Sequence, residues 1–75
     1  MGGIRNRVRD LRSAREMTQQ QLADKIDLTR QTVIAIEGDK YSPSLETAFR
    51  IANVFGVPLE QVFQYQDDRK GSSKR

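Results

Sequence analysis

Residues 18 to 37 read TQQQLADKIDLTRQTVIAIE, and how this stretch folds decides the architecture of the chain. Thr18 and Gln21 have the spacing of a capping box, which starts a helix at about Gln19 and carries it to Ile26. Asp27 and Leu28 make a short turn. Thr29 then caps a second helix that runs to about Glu37, where Gly38-Asp39 ends it. Leu22, Ile26, Leu28, Val33 and Ile36 interlock across the turn, and the small Ala23 stands where the two helices approach most closely. This is the pattern of a helix-turn-helix, although spacing alone fits any compact helical hairpin equally well.

The later helix is poorly chosen for propensity. Threonine, valine and isoleucine crowd its middle, and Arg30-Gln31 sits at its tip. A cation at a helix N-terminus opposes the macrodipole, so stability does not account for Arg30.

Working outward, Ile4, Val8, Leu11 and Ala14 have amphipathic spacing and predict a first helix over about residues 4–16. Its other faces carry Arg5, Arg7, Arg9, Arg12 and Arg15. After the central pair, Lys40-Tyr41-Ser42-Pro43 reads as a loop, because Pro43 blocks helical extension. Ser44 caps a fourth helix with an expected buried stripe of Leu45, Ala48, Phe49, Ala52 and Phe55, and Gly56 stops it. Pro58 opens a short fifth helix containing Leu59, Val62 and Phe63. Residues 63–66, FQYQ, alternate and suit a short strand. The tail from 67 to 75 has no apolar residue and reads as disordered and basic, which places one domain over residues 4–66.

The 75 residues include no cysteine and no histidine, which removes disulfides, thiolate sites and the commonest general base and metal ligand. No catalytic residues, cofactor or metal site are expected. No apolar run approaches the ~18 residues that span a bilayer, so no membrane role and a cytoplasmic location are expected. The net charge of +3 needs dissecting. Arg69, Lys70, Lys74 and Arg75 supply four positives, and residues 1–68 then hold nine positives against ten negatives, a net of −1. Overall charge is weak support for nucleic-acid binding, and local distribution must carry that argument.

Residues 18–37 strongly resemble the helix-turn-helix of the Cro and phage-repressor (XRE-type) family. RNRVRDLRSAREMTQ (5–19) looks like that family's first helix, and KYSPSLETAFRIANVFGVPLEQVF (40–63) is similar to its fourth and fifth. Within that family the sequence resembles the small dimeric regulators typified by the cytolysin repressor. The resemblance implies an all-α, five-helix DNA-binding domain, with a short terminal β-ribbon from Ile4 and residues 63–66 where the ends pair. Gly2 and Gly3 weaken the first of those strands.

It also implies that the third helix lies in the major groove of double-stranded DNA. Arg30 and Gln31 then read base edges, with Ile34 and Ala35 placed to meet thymine methyls. Arginine bonds guanine O6 and N7 together, and glutamine does the same to adenine N6 and N7. Gln19, Thr29, Thr32, Lys40, Tyr41 and Ser42 fall at phosphate-contacting positions. Arg12 matches an arginine that pairs with the glutamate at Glu37 and also lies within reach of phosphate. Two departures stand out: Asp27 replaces the usual turn glycine, and Gly38-Asp39 reverses the usual order at the helix end.

One recognition helix reads too few base pairs for a useful specificity ratio. A homodimer is therefore expected, with Val57, Leu59, Val62, Phe63 and Tyr65 as its interface. The function expected is transcriptional regulation, most simply repression at a palindromic operator. The alternative is an antitoxin or protein-interaction module of the same fold, with a protein partner. An enzyme ranks last.

Overall fold

A computed structural model describes residues 3–66. The chain runs β1 (Gly3–Asn6), α1 (Val8–Ala14), α2 (Gln19–Ile26), α3 (Arg30–Glu37), α4 (Leu45–Phe55), α5 (Leu59–Val62) and β2 (Phe63–Gln66). The expected tail at 67–75 lies outside the described residues.

The N-terminal caps form as the residue types dictate. Thr18 Oγ1 accepts from the Gln21 N–H at 3.0 Å, and Gln21 Oε1 accepts from the Thr18 N–H at 2.8 Å, completing the capping box. Thr29 and Ser44 each accept from the amide three residues on, both at 3.2 Å. At the other ends, four helices close through one left-handed residue and a long backbone bond. Met17, Leu28, Lys40 and Val57 N–H groups donate to the Arg12, Ala23, Ala35 and Ala52 carbonyls at 2.9–3.2 Å. The left-handed residues are Glu16, Asp27, Asp39 and Gly56, with φ of 53°, 62°, 60° and 70°. Only one is glycine. The inverted Gly38-Asp39 order is thus real in its effect: Gly38 has φ −87°, and Asp39 carries the strained conformation.

The core is assembled from one face of each helix. Leu22, Ala23 and Ile26 of α2 join Val33 and Ile36 of α3 in one cluster with Val8, Ile51, Ala52, Phe55 and Val62. Ala23 is fully buried, as a close α2–α3 approach requires.

Several expectations are corrected. The terminal ribbon that the resemblance implies does form, with Ile4 opposite Tyr65 and Asn6 opposite Phe63 in an antiparallel pair, so Ile4 belongs to β1 and not to the helical period read through it. The ribbon wins because it satisfies backbone groups that a frayed helix start would leave to water. Ala14 is exposed rather than part of a buried stripe. In α4, Leu45 and Phe49 are 67% and 50% exposed, and Ile51 takes the core position instead. No described helix is long and apolar enough to cross a membrane.

Candidate nucleic-acid interface

Within α3 the β-branched residues divide between two tasks. Val33 and Ile36 turn inward and are buried, which leaves an outward arc of Arg30, Gln31, Ile34 and Ala35. Arg30 and Gln31 are exposed, Ile34 is 44% exposed and Ala35 is half-buried. Two shallow depressions border the arc. Gln31, Thr32, Ala35 and Tyr41 line one, and Ile34 shares the other with Arg9, Thr18, Gln19 and Gly38. Arg30 and Lys40 make no ion pair among the described residues, so both cations face solvent uncompensated.

The end of α3 is anchored by a charged network. Arg12 Nε and Nη2 donate to Glu37 Oε2 and Oε1 at 2.7 and 3.2 Å, a bidentate pairing. Arg12 Nη1 donates to the Met17 carbonyl at 2.8 Å, and Gln19 Nε2 donates to Glu37 Oε1 at 3.1 Å. The Arg12 and Glu37 side chains are only 14% and 6% exposed. This geometry makes Arg12 an anchor joining α1 to α3, and its guanidinium is spent there rather than presented for phosphate. Gln19 braces the same carboxylate from the first residue of α2.

Thr29 caps α3, and its hydroxyl lies 3.0 Å from that of Thr32, which ties both hydroxyls into the helix start. Lys40, Tyr41 and Ser42 form the exposed loop after α3. At the other end of the fold, Val62 is fully buried in the monomer's own core and is withdrawn from the interface set. Val57, Leu59 and Phe63 are half-buried against that core, whereas Tyr65 is 68% exposed.

Two structural residues escape sequence reasoning. Arg15 Nη2 donates to the Phe55 carbonyl at 2.8 Å, and its guanidinium stands 5.2 Å from the Phe55 ring centroid. Asn6 bonds the end of α3. Both partners are distant in sequence, and no local pattern announces them.

Two helices joined across a left-handed turn, the second buried on one side and bare along the other, define a helix-turn-helix domain. The helix-turn-helix family matches residues 8–62. Among curated relatives, an uncharacterized HTH-type transcriptional regulator of Methanocaldococcus jannaschii is 48% identical over 87% of this chain and 98% of its own. The immunity repressor protein of Bacillus phage phi105 is 36% identical, over 79% of this chain and 41% of its own. A crystal structure of a candidate DNA-binding protein from Bacteroides fragilis has the same fold, with TM-score 0.76 at 21% identity, covering 83% of this chain and all of that one. The chain belongs to the XRE-type helix-turn-helix family, one of DNA-binding transcriptional regulators and not of enzymes.

Proposed function

We propose that this protein is a sequence-specific repressor that binds a palindromic operator as a homodimer, one α3 in the major groove of each half-site. The observation that carries the reading is the bare outer arc of α3. Arg30 and Gln31 stand exposed at the helix tip while Val33, Ile36 and Glu37 hold the helix to the domain.

Register comes from backbone contacts by Gln19, Thr29, Thr32, Lys40, Tyr41 and Ser42, which carry no sequence information themselves. Choice of operator comes from Arg30 and Gln31, each bidentate contact supplying roughly 1–3 kcal/mol of discrimination. Ile34 and Ala35 supply apolar contact with thymine methyls. A bound dimer then represses by occluding the promoter. The name of the phage phi105 relative, an immunity repressor, supports repression over activation.

The dimer reading rests on apolar surface that the monomer leaves uncovered. Ile4 and Tyr65 pair across the ribbon, and Leu45 and Phe49 lie one turn apart on α4; all four are exposed. Ile4, Leu45, Leu59 and Phe63 line a common apolar depression with Pro43. Patches of this kind mark interaction sites. A dimer reading two half-sites must hold its two α3 helices one turn of DNA apart, ~34 Å.

Selection of bound duplexes from a random DNA pool tests the reading. An enriched palindrome is expected. A pool that emerges with no enriched sequence refutes sequence-specific regulation, and an enriched single half-site refutes the dimer.

A further inference from the structure

Asn6 ends β1 and is half-buried, and its carboxamide is used on both sides. Oδ1 accepts from the Val8 N–H at 3.1 Å. Nδ2 donates to the Ile36 carbonyl at 2.8 Å and to Asp39 Oδ1 at 2.9 Å. These partners are the first residue of α1, the last turn of α3 and the left-handed residue that closes α3. One side chain therefore joins the ribbon, the first helix and the end of the third. Arg5 reinforces the link: its Nε lies 3.9 Å from Asp39 Oδ2, and its Nη1 donates to Gln66 Oε1 on β2 at 3.0 Å.

The identity of residue 39 sharpens the point. At φ 60° glycine carries no steric penalty, whereas any Cβ does. A carboxylate at a helix C-terminus also opposes the macrodipole. Neither backbone preference nor helix electrostatics accounts for aspartate here. Accepting the Asn6 amide, with Arg5 beside it, does.

We propose that Asn6 is a positioning residue for DNA reading. Through Ile36 and Asp39 it locks the C-terminal end of α3 and the start of the Lys40–Ser42 loop against the terminal ribbon. The lock fixes the direction in which Arg30 and Gln31 present their donors and acceptors. Bidentate contacts are directional, so a helix free to pivot loses base discrimination before it loses phosphate attraction. The role rests on α3 being the recognition helix. It also ties that helix to the ribbon that bears Ile4 and Tyr65, so that pairing of two chains through that face stiffens the reading element.

The test uses the full chain and three variants, Asn6→Ala, Asp39→Gly and Asp39→Asn. Three quantities are read: the thermal midpoint, hydrogen exchange at the Gly38 and Lys40 amides, and the ratio of affinities for the enriched duplex and a random duplex of equal length. Those amides bond the Ile34 and Ala35 carbonyls and report the end of α3 directly. Asn6→Ala and Asp39→Gly are expected to speed exchange there relative to α4, and to lower the ratio about five- to tenfold, the scale of one hydrogen bond. Asp39→Gly does so with a midpoint unchanged or raised, because glycine relieves the left-handed strain. It carries the test even if Asn6→Ala fails to fold. Asp39→Asn keeps an oxygen for Asn6 and retains the wild-type exchange and ratio. An Asp39→Gly protein with unchanged exchange and ratio, or ratios that merely follow the midpoints, overturns the proposal. A wild-type chain that enriches no duplex removes the recognition reading beneath it, whereas an enriched duplex with an unmoved ratio removes the positioning role alone.

Discussion

Glu37→Ala is the substitution that most directly probes how the exposed helix is held. It deletes the acceptor of three donors at once: Arg12 Nε, Arg12 Nη2 and Gln19 Nε2. What remains is an arginine side chain that is 14% exposed and whose guanidinium has only the Met17 carbonyl as partner. Stranding a buried charge costs about 3–5 kcal/mol. The retained Met17 bond and residual exposure place this site at the lower end, about 3 kcal/mol. A domain of this size loses about 4–8 °C of Tm per kcal/mol, so the midpoint falls by about 12–24 °C. The measurement is thermal and urea unfolding followed by circular dichroism, at one fixed protein concentration because dimerisation would shift the midpoint by mass action.

The companion variant Arg12→Met/Glu37→Leu removes both charges and keeps apolar volume. It is expected within about 1 kcal/mol of wild type, since a well-packed apolar pair commonly matches a buried ion pair. A double-mutant cycle closed with the single variants Arg12→Met and Glu37→Leu then returns a coupling above about 2 kcal/mol, within the range for residues in direct contact. A Glu37→Ala cost under about 1 kcal/mol, the value of a solvent-exposed pair, refutes the anchoring role. So does a double variant no more stable than the single one.

Three further outcomes follow from the same geometry. Arg30→Ala relaxes base preference at one position per half-site by roughly 1–3 kcal/mol, whereas Lys40→Ala weakens all sequences alike and reduces the salt slope by about 1; binding titrations at several salt concentrations separate them. Asp27→Gly, at φ 62° after α2, raises stability by up to about 1 kcal/mol in urea unfolding, the left-handed penalty of a Cβ being partly offset by the freedom of glycine in the unfolded chain, and a loss would mean that the aspartate side chain has a role at the turn. Phe49→Glu, half exposed on α4, leaves the fold intact and makes the protein monomeric in sedimentation, and an unchanged dimer moves the interface elsewhere.

Where local chemistry decides, residue types alone suffice. Thr18, Thr29, Ser44 and Gly56 mark helix ends because a cap needs only a neighbouring amide or a residue free to adopt positive φ. The interlocking of Leu22, Ala23 and Ile26 with Val33 and Ile36 was equally legible, since one short turn leaves the two helices little choice of contact. The failures are all non-local. Ile4 fits a helical period, and only the family resemblance, not its local pattern, joins it to its partner Tyr65 at the opposite end of the chain. In α4 the apolar arc from Val54 round to Phe49 spans about 220° at 3.6 residues per turn, wider than one core face needs. Periodicity cannot say which part of so wide an arc turns inward. The core took Ala48, Ile51, Ala52 and Phe55, and Leu45 and Phe49 were left outside.

Charge shows the same separation between what is written in the chain and what folding does with it. Taken residue by residue, the first helix looks like the basic face, with five arginines between positions 5 and 15. Folding neutralises or occupies three of them: Arg12 on Glu37, Arg5 on Asp39 and Gln66, and Arg15 on the Leu11 and Phe55 carbonyls. Arg50 is likewise paired, with Glu46. Arg30 and Lys40, one at each end of α3, keep their charge unpaired among the described residues, as do Arg7 and Arg9. Phosphate attraction depends on uncompensated cations, not on their number. The arginine-rich stretch therefore spends three of its five cations on holding the fold together, and Arg30 and Lys40 add uncompensated charge at the two ends of the proposed recognition helix.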